Sequence, residues 1–279
     1  MNKILNGKEY SKKLKEETKE RVERLKEKTG KVPKLVTIMV GDSEASLMYV
    51  NMKEKACINA GIEAVNLQFP TITTEELIKE IEKLNIDKSV SGILIQHPLP
   101  KDVDEKKCIE TIDPAKDVDG LTQASFAKLC MDKDALMPCT PKGIIDLLHE
   151  YKIDLVGKHA IVIGRSQILG KPLAMMLLNE NATVTIAHSK TENIEKLIKK
   201  ADIVCACCGK ANFVKPEWVK KGQILVDAGY NPGNIGDMDP ECYKKARFYT
   251  PVPGGVGPMT VAELLSQTVD AFERQNNIK

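Results

Sequence analysis

Apolar residues along this chain follow two spacings that alternate. Short continuous apolar runs of strand length occur at 34–40 (KLVTIMV), 62–69 and 92–96. Between them lie stretches with helical spacing. The Lys- and Glu-rich segment 8–28 places Leu14, Val22 and Leu25 on one face, with Thr18 between them, which predicts a solvated amphipathic helix. A second helix is predicted over 46–60, preceded by Asp42 or Ser43 as cap and closed by Gly61. A third runs over 74–84, capped by Thr74 and carrying Glu75 and Glu76 in its first turn. Turn-rich 113–120 and the stiff Pro138-Cys139-Thr140-Pro141 interrupt the series. After a short helix over 143–151, strands at 159–164, 183–187, 203–208 and 224–227 alternate with helices at 171–179 and 194–200, and a terminal helix covers 261–275. Strands alternating with helices predict βαβ units and mostly parallel sheets. The expected fold is α/β, with two lobes joined near residue 140.

Composition narrows the function classes. A chain of 279 residues with 42% hydrophobic and 29% charged residues is globular and long enough for two domains. The formal net charge of +2 carries no basic surplus, and one Trp, six Tyr and five Phe supply few stacking platforms, so nucleic acid is not an expected partner. The longest stretch without a charged residue, 248–262, has 15 residues and contains Pro and Gly, so no membrane span is expected. Residues 1–7 lack the apolar region of a secretory signal. The eight cysteines therefore read as reduced thiols of a cytosolic protein, with no zinc site, and Cys207 and Cys208 as small buried hydrophobes.

The second lobe carries a nucleotide signal. After the strand at 159–163 comes Gly164-Arg165-Ser166-Gln167-Ile168-Leu169-Gly170-Lys171-Pro172, an irregular version of the glycine turn that presents amides and a helix N-terminus to phosphate. NAD enzymes commonly place an acid at the end of the next strand. Here the residues are Ala187-His188-Ser189-Lys190, with no acid. Ser189 can donate to a 2′-phosphate and Arg165 can pair with it, which favours NADP. In the first lobe Tyr49 and Lys53 are four apart and share a helix face. Gln96 ends a strand, and Asp117-Val118-Asp119-Gly120 forms a turn. Each also has a plain reading, as a surface lysine beside a half-buried tyrosine, a strand-end cap and an ordinary turn. His188 reads as a loop histidine.

Taken together, seven ordered motifs resemble the bifunctional methylenetetrahydrofolate dehydrogenase/methenyltetrahydrofolate cyclohydrolase family over nearly the whole chain. They are Tyr49-Val50-Asn51-Met52-Lys53, Gln96-His97-Pro98-Leu99-Pro100, Lys116-Asp117-Val118-Asp119-Gly120, Pro138-Cys139-Thr140-Pro141, Gly164-Arg165-Ser166, Gly170-Lys171-Pro172 and the run from Thr250 to Thr260, TPVPGGVGPMT. The resemblance implies two Rossmann-like lobes flanking a cleft, with the C-terminal helix returning to the first lobe. It implies a folate-binding catalytic domain over 1–139, completed by 264–279, and an NADP-binding domain over 140–263. It implies oxidation of 5,10-methylenetetrahydrofolate by NADP, then hydrolysis of the methenyl product to 10-formyltetrahydrofolate, with no metal. Lys53, Gln96 and Tyr49 would be catalytic; Tyr49, Asp119, Pro253, Gly254 and Gly255 would meet folate; Thr140, Gly164, Arg165, Ser166, Gly170 and Ser189 would meet NADP. A cytoplasmic homodimer is the family's habit. His97, Ser125 and Ala127 depart from the family's usual residues, as does Glu263. Two other readings stay open: a dehydrogenase without the hydrolytic step, and a non-catalytic nucleotide-binding protein of the same fold.

Overall fold

The structure, a computed structural model, describes residues 3–278. In chain order the elements are β1 (Lys3–Ile4), α1 (Gly7–Thr29), β2 (Lys34–Val40), α2 (Glu44–Asn59), β3 (Glu63–Phe69), α3 (Thr74–Ile86), β4 (Gly92–Ile95), α4 (Glu105–Thr111), α5 (Gln123–Cys130) and α6 (Cys139–Glu150). They continue with β5 (His159–Ile163), α7 (Gly170–Asn179), β6 (Thr183–Ala187), α8 (Ile194–Lys200), β7 (Ile203–Ala206), β8 (Ile224–Asp227), β9 (Phe248–Tyr249) and α9 (Val256–Gln275). The predicted alternation is present, with local corrections. Thr73, not Thr74, caps α3: its hydroxyl accepts from the Glu76 amide, and Glu76 returns to the Thr73 N–H. Pro138 to Pro141 is the entry of α6 rather than a linker, since Pro141 falls in the first turn, where a missing N–H costs nothing. The same reason lets α9 start at Val256, with Pro258 in its first turn. The short helices α4 and α5 span too few residues for periodicity to reveal them.

The chain forms two compact units. One comprises 13–128, 134–137 and 261–278. Its sheet has the order β3-β2-β4, every pair parallel. Val36, Ile38, Ile93 and Ile95 of the sheet bury against Leu77 and Ile81 of α3. On α1, Thr18, Val22 and Leu25 are buried, as the apolar face requires. The C-terminal helix closes this unit. Buried Gln267 accepts from the Met137 amide at 2.7 Å and donates to the carbonyls of Val118 and Met137 at 2.9 and 2.7 Å. Arg21 binds Asp270 and Glu273 at 2.6 and 2.7 Å, and Gln275 donates to Ser91 and Ala115.

The other unit comprises 3–12, 129–133 and 138–260. Its six-stranded sheet has the order β1-β9-β8-β7-β5-β6, again with every pair parallel. Residues 3–12 group here rather than with the early part of the chain, because Lys3 and Ile4 pair with Phe248 and Tyr249. No alternating pattern marks so short a strand. The strand order reverses between β5 and β7, and in the first sheet between β2 and β4. Such switch points leave a crevice at the carboxyl ends of the flanking strands, where open α/β sheets bind ligands.

Candidate active site

In the three-stranded unit the crevice lies beyond Val40 and Ile95, and Gln96 is the first residue past β4. Its amide donates to the Ile38 carbonyl at 2.8 Å, which pins the backbone to β2. Its side chain is oriented from both ends. Nε2 donates to the His97 carbonyl at 2.9 Å, leaving Oε1 to accept from Lys53 Nζ at 2.9 Å. Lys53 is part-buried on α2, and Tyr49, one turn earlier, is 42% exposed at the same face. Cys57, one turn later, is wholly buried, and that burial pushes its thiol up to about 12 despite the nearby Lys53 cation. The structure thus brings Lys53 and Gln96 together as an ammonium group held by an amide, with Tyr49 one helical turn away on α2.

His97 turns out to have a partner of its own. Its Nδ1 lies 3.2 Å from Glu105 Oε1, while Glu105 Oε2 accepts the Leu99 amide at 2.7 Å. Glu105 therefore closes the turn that follows Gln96. It went unnoticed in the sequence because α4, whose first residue it is, carries no periodic signal.

Asp119 is half-buried at the same edge of the sheet. Asp117 pairs in parallel with Ile93 of β4, and its carbonyl accepts the Gly120 amide at 2.9 Å, so Asp119 sits in the turn that leaves this pairing. The supporting residue is Asp117, which is buried. It accepts the amides of Leu121 and Thr122 at 3.0 and 2.8 Å and the Ser125 hydroxyl at 2.7 Å. Burial raises the Asp117 carboxyl above its ordinary range, and these donors pull it back. Ser125, a departure from the family pattern, is thus a buried donor to the carboxylate that shapes the Asp119 loop. Asp-Val-Asp-Gly alone does not reveal which carboxylate is buried; the Thr and Ser three apart that supply the capping donors are the usable signal.

The six-stranded unit places Gly164 at the carboxyl end of β5, beside Cys207 after β7. Gly164 has φ +135°, and a Cβ there would lie 2.2 Å from the Cys207 carbonyl oxygen. A Cβ on Gly170 would lie 2.4 Å from the Gly164 carbonyl oxygen. Only glycine permits backbones to approach this closely, so both positions match a phosphate-cradling turn. Ser166 Oγ accepts the Gly170 amide at 3.3 Å, and Arg165 is exposed beside it. Ser189 is exposed two residues past β6. His188 is tied into its loop, with Nδ1 accepting from the Lys190 amide and its own N–H donating to Thr191. Thr140, in the first turn of α6, shares a hydroxyl–hydroxyl bond of 2.9 Å with Thr260. Pro253, Gly254 and Gly255 follow β9 in this same unit. The Gly254 carbonyl accepts the Lys8 amide at 2.9 Å, and the Gly255 amide donates to Pro251 at 2.8 Å. Cys205 and Cys208 have C-x-x-C spacing, but Cys205 is wholly buried inside β7 and Cys208 is exposed beyond its end.

Residues 5–119 match the family model described as tetrahydrofolate dehydrogenase/cyclohydrolase, catalytic domain, and residues 138–276 match the NAD(P)-binding domain of the same name. The bifunctional protein FolD of Cellvibrio japonicus is 50% identical over 274 residues, 98% of each chain. Among solved structures, the bifunctional FolD methylenetetrahydrofolate dehydrogenase/cyclohydrolase of Campylobacter jejuni superposes with a TM-score of 0.96 at 43% identity, covering 98% of this chain and 99% of that one. The Trypanosoma brucei methylenetetrahydrofolate dehydrogenase-cyclohydrolase, complexed with NADP and an inhibitor, gives 0.93 at 33% identity and 98% coverage of both chains.

Proposed function

The chain belongs to the tetrahydrofolate dehydrogenase/cyclohydrolase family, and from that premise we propose that it oxidises 5,10-methylenetetrahydrofolate with NADP and hydrolyses the methenyl product to 10-formyltetrahydrofolate. The observation that carries both activities is that one chain holds the Lys53–Gln96 pair at one sheet's switch point and the Gly164 turn at the other's. A chain that only transferred hydride would have no use for the first.

Bound NADP supplies the hydride acceptor. The residues fit it: two glycines at positions where any Cβ would fill the turn, no carboxylate at 187–190 to repel a 2′-phosphate, and Arg165 and Ser189 exposed to receive one. Gly164, Ser166 and Gly170 would hold the diphosphate through backbone and hydroxyl donors, with Thr140 near the helix entry. Hydride transfer needs only alignment of two carbons, and Pro253, Gly254 and Gly255 offer an unhindered backbone for the ring that must be aligned.

Hydrolysis asks more of the protein. Water must add to the electrophilic methenyl carbon and give up both its protons, one to the ring nitrogen as its bond to that carbon breaks and one to solvent. Lys53 positions that water and donates to the oxygen as it forms. An ammonium is a poor base, so the oriented Gln96 carbonyl matters: it holds Nζ in one direction. Tyr49 lies along the folate, and Asp119 accepts from the pterin's N–H edge. In this reading the unit containing 13–128 and 261–278 takes folate, and the unit containing 138–260 takes NADP. Following the family's habit, the protein is read as a cytoplasmic homodimer. Among the described residues, no helix is long and apolar enough to cross a membrane.

The test is to follow both steps by absorbance in the wild type and in Lys53→Met, starting from methylenetetrahydrofolate with NADP or from preformed methenyltetrahydrofolate. The wild type performs both. The variant loses cyclohydrolase activity by at least about 100-fold, the scale of one positioned proton-transfer group, and keeps measurable dehydrogenase. A wild type that reduces NADP but leaves the methenyl cation unhydrolysed would reduce the function to the dehydrogenase alone.

A further inference from the structure

One buried cluster in the six-stranded unit has no role in the chemistry above. Asp237 is fully buried, yet four donors converge on its carboxylate. Oδ2 accepts the amides of Cys208 and Gly209 at 2.7 and 2.8 Å; Oδ1 accepts the Lys210 amide at 2.8 Å and Asn231 Nδ2 at 3.0 Å. Three consecutive backbone N–H groups thus point at one side chain. A carboxylate enters the interior only where such donors replace water. A second buried acid supports the first. Asp227 accepts the amides of Gly229 and Asp237 at 2.9 Å each, the Met238 amide at 2.8 Å and the Tyr243 hydroxyl at 3.1 Å. Glycines make room for both: a Cβ on Gly229 would lie 2.3 Å from Asp237 Cγ, and one on Gly236 would lie 2.1 Å from Asp227 Oδ2.

The backbone held in this way is the loop that leaves β7 at the switch point. Its first residue, Cys207, is the one whose carbonyl sits against Gly164. Fixing residues 208–210 therefore fixes one wall of the crevice beyond β5 and β7, and the surface on which the glycine turn rests. Asp227 and Asp237 are themselves buried, at 1% and 0% exposure, so a ligand would not touch them directly. Their effect passes through backbone.

We propose that Asp237 is a positioning residue for NADP: its carboxylate clamps the 208–210 loop and, through Cys207, sets the Gly164 turn in the geometry that receives the dinucleotide. This rests on the NADP reading above, and it concerns only the cofactor half of the activity. Asp237→Asn keeps the shape but turns one acceptor oxygen into a donor facing backbone donors.

The experiment is steady-state kinetics of both reactions in wild type, Asp237→Asn and Asn231→Ala. Asp237→Asn raises the KM for NADP at least tenfold, while the cyclohydrolase kcat and the folate KM stay within twofold of wild type. Asn231→Ala removes one donor of the four and raises the NADP KM in the same direction by less. A role confined to holding the fold together would lower the melting temperature and leave the NADP KM of the folded enzyme alone; a folded Asp237→Asn with an NADP KM within twofold of wild type overturns the proposal. If Asp237→Asn fails to accumulate as folded protein, Asn231→Ala decides, and an unchanged NADP KM there overturns it equally. A wild type that binds and reduces no NADP would overturn the cofactor reading, and this inference with it, a result distinguishable because it appears before any substitution.

Discussion

Ser125→Ala tests whether the Asp119 loop depends on its buried support. The hydroxyl donates to Asp117 Oδ2 at 2.7 Å and accepts from Thr122 Oγ1 at 3.0 Å, and Asp117, Thr122 and Ser125 are all buried. A hydrogen bond to a charged group contributes about 1.5–3 kcal/mol, and removing one partner in the interior leaves the other without replacement water. The expected loss is therefore about 2 kcal/mol at pH 7. The pH dependence has a definite sign. Desolvation raises the Asp117 carboxyl in the folded protein, so the native state holds a proton that the unfolded chain has already released. Such a group costs stability as pH rises from the unfolded value, about 4, through the folded one. Losing the Ser125 donor raises the folded value further. The penalty of the substitution thus grows as pH rises through the folded value and shrinks towards pH 4, where a protonated carboxyl forfeits only a neutral bond of about 1 kcal/mol. Urea denaturation followed by circular dichroism measures the difference; fluorescence would not, because Trp218 belongs to the other unit. Amide exchange at Leu121 and Thr122, both donors to Asp117, localises it. The folate KM should rise with it. A loss below about 0.3 kcal/mol at pH 7, with exchange at those amides unchanged, would refute the reasoning.

Other perturbations separate the two halves of the chemistry. Gly170→Ala places a methyl group 2.4 Å from the Gly164 carbonyl oxygen, a backbone atom that cannot swing aside; NADP affinity should fall at least about tenfold, read by titration, with cyclohydrolase activity retained. Cys208 is exposed, but burial around its sulfur, with Asp237 adding to the effect, pushes the thiol up to about 12. At pH 8 it should alkylate roughly a thousandfold more slowly than a free cysteine, and mass spectrometry of peptides treated with iodoacetamide would expose a faster reaction.

Where apolar periodicity was long, pattern and structure agree. The run 34–40 is β2 without correction, and Thr18, Val22 and Leu25 are buried on α1. Boundaries differ where proline sits in a helix's first turn: Pro141 lies inside α6 and not in an interruption, and α9 starts at Val256, before Pro258, and not at 261. The candidate chemistry was legible at Lys53 and Gln96 because helix spacing and strand-end position are local properties. Glu105, Ser125 and Asp237 were not, because each acts on a group outside its own element: Glu105 on the turn after β4, Ser125 on a carboxylate eight residues back, and Asp237 on amides 27 to 29 residues earlier. A single sequence records such pairings only as an acid near a glycine or a serine near an aspartate. The N-terminal strand escaped for a related reason, since two residues carry no alternation and their partners lie at 248–249.

The two ends of the chain trade places between the units. Residues 3–12 complete the sheet of the late unit, whereas 261–278 complete the early one through Gln267, Asp270, Glu273 and Gln275. On the ribosome this ordering has a cost. A nascent chain that has emerged as far as residue 128 possesses β2, β3 and β4 but lacks the helix that satisfies the Val118 carbonyl and neutralises Arg21. The half translated first is therefore finished last, after synthesis of the half that follows it. Its apolar faces wait uncovered in the interval, which makes the early unit the place where a chaperone would find this protein during translation.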